Sequence, residues 1–500
     1  MLRAFRHSLR LVRAARILAR HNALFPLDLL PQTRPLLRLV DRFQDRSAPG
    51  RPGERLAAAL QELGPSFIKL GQSLSTRADL LGESVARDLS LLQDRLPPFP
   101  AEQARRTIEA ELEAPIPELF REFDDRPVAA ASIAQVHRAV TTEGATVAVK
   151  VLRPGIEKAM EEDIDFFLWI ARTAERLHPP LRRFRPTEAV QIFAATTRRE
   201  MDLRLEAAAA AEFALNNADE EGFRVPAVDW QRTARRVVTF EWIEGLPLDE
   251  RDRLVAAGHD PRAILETATR VFFNQVFRDG FFHADMHPGN MLLDAEGRIV
   301  ALDFGIMGRL DLETRVQLAR MLMGFLSGDY ATVADVFYEA GFITDPDARP
   351  AFVQACRAIG EPIRGQPLSR ISFARLLGQL LSIAQEFEME TQPQLLLLQK
   401  TMVMAEGVGR ALDPEINMWT LAQPLVEQWV RANLGPEAEL RRALAEGGEA
   451  LRRLPALISR GEKILQALPL AGAPAGREGG GFGPVWLWLL LGLALGLALG

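Results

Sequence analysis

Five hundred residues, 48% hydrophobic and 25% charged, suffice for one large two-lobed domain or two to three smaller ones. A formal net charge of -6 excludes whole-molecule attraction to nucleic acid as the basis of function. A single cysteine, Cys356, excludes an internal disulfide framework and an all-cysteine metal site.

The first twenty residues depart from that average. MLRAFRHSLRLVRAARILAR carries Arg3, Arg6, Arg10, Arg13, Arg16 and Arg20 and no acid. Steps of three and four predict one basic helix face, with Phe5, Leu9, Val12 and Leu18 opposite. The stretch has no uninterrupted apolar run of signal-peptide length. It reads either as a basic helix docked on the chain's own acidic body or as an interfacial helix on anionic lipid. Residues 51–125 predict helices over RLAAALQELGPSFIKLGQSLSTR, LLGESVARDLSLLQDRL and AEQARRTIEAELEA. Pro65, the run PPFP, Pro115 and Pro117 punctuate them. IAQVHRAVTTEGATVAVK, residues 133–150, predicts two strands around a turn at Glu143 and Gly144.

Helical runs follow over 155–177 and 187–216. VPAVDW and RRVVTFEWI, within 225–243, read as strands, and 260–281 is helical again. A helical block covers 311–430, with loops near Pro346 and Gly365, and 434–467 reads as a charged peripheral helix. After AGAPAGREGGGFG comes PVWLWLLLGLALGLALG, residues 484–500, without a charge. As a helix it spans roughly 25 Å, the short end for a transmembrane segment. Trp486 and Trp488 stand where indoles favour the interface, and Arg460, Lys463 and Arg477 before it favour a cytoplasmic body. Gly492, Gly496 and Gly500 place small side chains on one face, a pattern for self-association.

The chemistry concentrates in FFHADMHPGNMLLDAEGRIVALDFGIMG, residues 281–308. Asp285 and Asn290 are spaced for one loop to aim both at a phosphate–metal centre. Asn290 and Asp303 supply the hard oxygen ligands Mg²⁺ prefers. Asp303 begins an Asp-Phe-Gly in which Phe304 packs and Gly305 permits a tight turn. Upstream, Val147, Ala148, Val149 and Lys150 form a strand pattern ending in a lysine able to reach the α and β phosphates of a nucleotide. Each residue alone has a bland reading as cap, turn or strand end. Together they point to binding of a nucleoside triphosphate with divalent metal.

Here the chain resembles the UbiB/ABC1/ADCK family of atypical kinase-like proteins associated with ubiquinone biosynthesis. The resemblance covers about residues 20 to 440. It rests on KLGQ at 69–72, LQD at 92–94, AAASIAQVH at 129–137, VAVK at 147–150, EMD at 200–202, EAAA at 206–209, HADMHPGN at 283–290 and DFG at 303–305. It implies an α+β, atypical protein-kinase-like two-lobed fold with a helical N-terminal extension and a C-terminal hydrophobic helix. The expected division is a basic segment (1–50), the extension (51–125), an N-lobe with inserted helices (126–245) and a helical C-lobe (246–435). A peripheral helix and linker (436–483) and the membrane segment (484–500) follow. The resemblance implies ATP and Mg²⁺ as cofactors and Lys150 paired with Glu206. It places Ala129, Ala130, Ala131, Ser132, Glu241 and Ile243 at the nucleotide. Lys69, with Gln72 beside it, is expected to pair with Glu200 or Asp202 and lock the extension across the cleft. Glu200, Asp202 and Glu206, at i, i+2 and i+6, do not share one narrow helix face, which suits two separate lysine partners.

Departures from ordinary protein kinases shape the expected mechanism. The phosphate loop is alanine-rich where kinases use glycine, Ala284 replaces the arginine of His-Arg-Asp, and no Ala-Pro-Glu follows Gly305. The leading expectation is ATP hydrolysis with Asp285 positioning water, in support of ubiquinone biosynthesis at the bacterial inner membrane. Expected partners are membrane lipids, polyprenyl quinone precursors and quinone-biosynthesis enzymes, without nucleic acid. A small-molecule or lipid-precursor kinase is the chemical alternative, and a noncatalytic ATP-gated scaffold is the alternative of another class. A hydroxylase has no support, since there is no flavin fingerprint or iron constellation. His283 and His287, four apart, read as loop structure rather than a metal pair. Phe325, Tyr330, Phe337, Tyr338 and Phe342 read as core rather than an isoprenoid groove.

Overall fold

The computed structural model describes residues 2–24, 49–75, 82–90, 92, 96–177, 179–343, 345–362, 372–387, 392–413 and 418–434. The expected peripheral helix and linker, the membrane segment and Gly492, Gly496 and Gly500 lie outside the described residues. Among the described residues no helix is long and apolar enough to cross a membrane.

Four helices come first: α1 (Leu2–Arg20), α2 (Pro52–Leu63), α3 (Pro65–Ser75) and α4 (Glu83–Ser90). Ile17, Leu56, Leu60, Ile68, Val85 and Leu89 pack into their shared core. Gly71, in KLGQ, is where α3 approaches most closely. A Cβ there would lie 2.6 Å from Leu60 Cδ1 and 3.0 Å from Leu92 Cδ1. The structure corrects the expected division of faces on α1. Its buried side is His7, Ala14 and Ile17, while Leu9 and Val12 are exposed beside exposed Arg6, Arg13 and Arg16.

Next come α5 (Ala101–Leu112), β1 (Phe120–Phe123), β2 (Ala129–Ala130), β3 (Ala134–Thr141) and β4 (Thr146–Leu152). They lead into α6 (Ile156–Leu177), α7 (Pro186–Glu200), α8 (Leu203–Asn216), β5 (Phe223–Arg224) and β6 (Val237–Glu241). Strands β1, β3, β4 and β6 lie side by side, β2 adds to β3, and all pairs are antiparallel. Alternation along β4 sorts its side chains. Val147, Val149 and Val151 join Ile108 of α5 on one face, while Leu152 joins Ala207 of α8 and Met160 of α6 on the other. Lys150, two residues before Leu152, therefore projects toward α8.

α6 anchors α1, for Arg10 reaches Asp163 at 2.7 Å and His7 reaches Asp165 at 3.2 Å. The single helix expected over 187–216 is two. Met201 and Asp202 break it because Asp202 takes extended backbone and caps α8, accepting the Arg204 N–H at 3.2 Å. The strand expected at VPAVDW is also absent. Only an isolated bridge, Val228 to Phe240, forms there, because Pro226 breaks the ladder and Asp229 caps a short turn.

Past β7 (Leu246–Pro247) and α9 (Pro261–Phe273), a π-helical turn over Asn274–Asp279 leads into β8 (Phe281–His283). Then come β9 (Met291–Leu293), β10 (Ile299–Ala301) and β11 (Met307–Arg309). Two small sheets, β5-β10-β9-β7 and β11-β8, present the loops between them. Helices α10 (Leu312–Ser327), α11 (Tyr330–Glu339), α12 (Arg349–Gly360), α13 (Phe373–Glu386), α14 (Pro393–Leu412) and α15 (Met418–Leu434) complete the lobe. Phe325, Tyr330 and Phe337 are buried in its core, with Tyr338 and Phe342 packed against it, so the aromatic stretch is core packing.

Candidate active site

Lys150 Nζ lies 2.8 Å from Glu206 Oε1 and 3.1 Å from Asp303 Oδ1. Strand alternation aims the lysine at α8, and the Asp202 cap starts α8 one turn before Glu206. Burial works against the Lys150 charge, but Asp303 and Glu206 outweigh it and hold the ammonium protonated beyond the ordinary lysine range. Burial pushes Glu206 up to about 7, against the pull of Lys150. Crowding by protein disfavours the Asp303 charge too. The Lys150 ammonium prevails, helped by the Gly305 N–H and by Lys69, and holds that carboxyl well below the usual carboxylate range.

Asp303 is itself left-handed, at φ 56°. The strain in Asp-Phe-Gly therefore sits on the aspartate rather than on Gly305, which is not among the positive-φ glycines. Phe304 is buried against Phe213, Phe240 and His283. α8 is held at its other end by Arg309, which donates to Glu212 at 2.8 Å and stacks 4.2 Å over Phe281.

The loop after β8 is locked from within. His283 is fully buried. Its Nδ1 accepts the Asp285 N–H at 3.2 Å, which makes Nε2 the protonated nitrogen, and that N–H points to the carbonyls of Leu302 (3.0 Å) and Asp303 (2.9 Å). Burial lowers its pKa and keeps the ring neutral. His287 Nδ1 accepts the Gly289 N–H at 3.0 Å. Both rings thus hold backbone, and among the described residues no group of three His, Cys, Asp or Glu side chains forms a metal cluster.

Asn290 donates its amide to the Asp285 carbonyl at 3.0 Å, which leaves its amide oxygen as the end able to take a hard cation. One carboxamide and one carboxylate, Asn290 and Asp303, fit Mg²⁺ shared with phosphate oxygens and water rather than a cation caged by protein alone.

The alanine-rich loop is a hairpin end, not an open glycine loop. Ala129 and Ala130 pair with Val136 and Gln135, and the Ala131 carbonyl accepts from Arg153 at 2.8 and 3.0 Å. Arg153 also holds the Pro97 carbonyl at 2.9 Å. Ser132 is fully buried, and its hydroxyl has no partner among the described residues. Glu241 ends β6, its carboxylate accepting from Arg224 (2.9 Å) and from the Ala227 N–H (3.3 Å). Ile243 lies in the connection between β6 and β7.

Lys69 approaches Glu200 Oε2 to 3.0 Å, both side chains being nearly buried. Asp202 does not take part. It pairs with Arg204 at 2.7 Å as the cap of α8. Gln72 donates to the Leu92 carbonyl at 3.5 Å, joining KLGQ to LQD. Two features escaped the sequence reading. One is the His283 clamp. The other is Lys400 of α14, whose Nζ lies 3.0 Å from Asp285 Oδ1. Its signal was a lone charge inside LLLLQKTMVM.

Residues 91–337 match the ABC1 atypical kinase-like domain and residues 356–417 the UbiB helical domain. The chain is 42% identical over 439 residues to the probable protein kinase UbiB of Marinobacter nauticus, covering 86% of this chain and 80% of that one. It is 41% identical over 469 residues to the protein of the same name from Xanthomonas campestris pv. campestris, covering 90% and 82%. A Mycobacterium tuberculosis protein solved in complex with erythromycin aligns at 26% identity and TM-score 0.48, over 78% of this chain and 97% of its own.

Proposed function

Because the chain belongs to the UbiB family of ABC1 atypical kinase-like proteins, we propose that it is a Mg²⁺-dependent ATPase supporting ubiquinone biosynthesis at the bacterial inner membrane. One observation carries the reading. Lys150 bridges Glu206 and Asp303 while Asn290 and His283 fix the Asp285 loop. This supports reading Lys150 as a phosphate-orienting cation, Asp285 as a base, and Asn290 and Asp303 as metal-competent oxygens.

In this reading Lys150 orients the α and β phosphates, and Ser132 donates its buried hydroxyl to a phosphate. The Asp285 carboxylate accepts the proton of the attacking water. The γ-phosphorus forms a bond to that water oxygen as its bond to the bridging oxygen breaks, and ADP leaves with the bridging oxygen. Mg²⁺, held by Asn290 and Asp303, neutralises phosphate charge when bound. Two features disfavour an ordinary protein substrate. Only six residues separate Gly305 from the start of α10 at Leu312, which leaves no peptide-docking segment. The Lys69–Glu200 pair also fastens the N-terminal extension to α7 beside the site.

Membrane attachment has an observation of its own. Exposed Leu9 and Val12 lie among exposed Arg6, Arg13 and Arg16 on α1, an apolar strip in a basic frame suited to anionic lipid. In this reading the body is cytoplasmic, and partners are polyprenyl quinone precursors and the enzymes that modify them. The test uses γ-labelled ATP, the membrane-reconstituted chain and an isoprenoid-phenol extract. Label released as phosphate supports hydrolysis. Label in the lipid fraction replaces it with lipid-precursor phosphorylation. Saturable ATP binding without either would sink turnover and leave a nucleotide-gated scaffold.

A further inference from the structure

The cation beside Asp285 comes from outside the kinase-like segment. Lys400 belongs to α14, within the stretch matched to the UbiB helical domain. Buried Leu395, Leu398, Thr401 and Met402 hold this helix, and the Thr401 hydroxyl donates to the Leu397 carbonyl at 2.8 Å. At its far end the Leu412 carbonyl accepts from Arg251 at 2.9 Å. The backbone that carries Lys400 is therefore fixed, and its side chain, about one-third exposed, reaches Asp285 Oδ1 at 3.0 Å.

The loop it reaches, HADMHPGN, contains neither lysine nor arginine. His287 stands 3.9 Å from the same carboxylate with its other ring nitrogen engaged by Gly289. Lys150 is committed to Glu206 and Asp303. Yet negative charge spreads over the three equatorial oxygens of a phosphoryl group in transfer, and those oxygens must come close to the base. An ammonium has three N–H donors. Among the described residues Lys400 Nζ spends one, on Asp285.

We infer that Lys400 is the γ-phosphate-binding cation of this site, supplied by the helical domain to a loop that lacks one. The inference rests on the ATP reading above. It gives the helical domain a chemical part. As the γ-phosphorus exchanges its bridging oxygen for the acceptor oxygen, whose proton passes to Asp285, the ammonium stabilises the equatorial oxygens and the leaving oxygen departs on ADP. A merely structural Lys400 would tether α14 to the loop and be indifferent to the number of phosphates bound.

The test is calorimetry on the full chain with Mg²⁺ and either ADP or a non-hydrolysable ATP analogue. Lys400→Met should weaken the triphosphate analogue roughly 10- to 100-fold, the range for a hydrogen bond to a charged group, and leave ADP affinity unchanged. Lys400→Arg should keep the triphosphate preference, which separates lost charge from a folding defect. Equal weakening of both nucleotides, or of neither, overturns the inference. So does a wild type that binds no nucleotide. A wild type whose triphosphate preference depends on Lys400 but which releases no phosphate upholds the inference while removing hydrolysis.

Discussion

Replacing Lys150 by methionine removes the ammonium that two carboxylates share, and the structure sets how the damage depends on pH. At 2.8 Å and an effective dielectric of about 20, the gross attraction to Glu206 is about 6 kcal/mol. Desolvation of both groups consumes most of it, so a double replacement, Lys150→Met with Glu206→Gln, should recover the part of the loss due to Glu206 and keep the part due to Asp303, which still lacks its cation. Removing the lysine alone would cost about 3–5 kcal/mol if Glu206 had to remain charged. It need not, since burial already places its pKa near 7.

A carboxyl with a raised folded pKa contributes stability that is complete below its unfolded value and is lost as pH rises through the folded one. Without the ammonium the folded pKa rises further. Between pH 7 and that higher value, Lys150→Met should lose about 1.4 kcal/mol per pH unit relative to wild type. Melting of the full chain at pH 6, 7, 8 and 9 reads this directly. On top of a pH-independent loss of the Lys150–Asp303 pairing, the difference should widen steadily from pH 7 to pH 9, and Glu206→Gln in the same background should abolish the widening. A pH-independent difference, or a double variant as damaged as the sum of the singles, would refute the coupling.

Three further outcomes follow from other contacts. Buried His137 donates from Nδ1 to the Asp124 carbonyl and accepts from Gln135 through Nε2, each at 2.8 Å, and burial lowers its pKa. Its contribution is present above about 6.5 and is lost as pH falls through the folded value, so His137→Phe should flatten acid-side melting; an unchanged acid slope would count against it. Gly71→Val should lower stability by about 1–3 kcal/mol through collision with Leu60 and Leu92, and an unchanged melting point would contradict that packing. Asp303→Gly should be more stable than Asp303→Ala by about 1 kcal/mol, because alanine inherits the positive φ; equal stability would place the strain elsewhere.

The readable parts of this molecule were those governed by short-range rules. Period two along VAVK puts Lys150 opposite the valines that meet Ile108, so the lysine must face the other layer, where α8 lies. The Asp-Asn-Asp spacing is a property of one loop and its return strand, and those elements fold locally. What was missed depends on contacts distant in sequence or on a single cap. The break between α7 and α8 hinges on Asp202, whose side chain competes with helix continuation. This invalidated face arithmetic drawn across one helix, although Glu200 and Glu206 still meet separate lysines. Lys400 is 115 residues from Asp285, and nothing in either local pattern points to the other. The expected apolar face of α1 misjudged which residues are buried. Ring-bearing His7 turns inward because α6 offers Asp165 there, and Leu9 and Val12 lie exposed.

The central claim is that Asp285 acts on a metal-bound triphosphate, and Mg²⁺ titration of phosphate release by the membrane-reconstituted full chain tests it most directly. Wild type should turn over ATP with saturable dependence on Mg²⁺. Asp285→Asn should keep nucleotide affinity and lose roughly 10²- to 10⁴-fold in rate, the scale of a positioned general base. Phosphate release that is independent of Mg²⁺, or equal in the two proteins, would contradict the account.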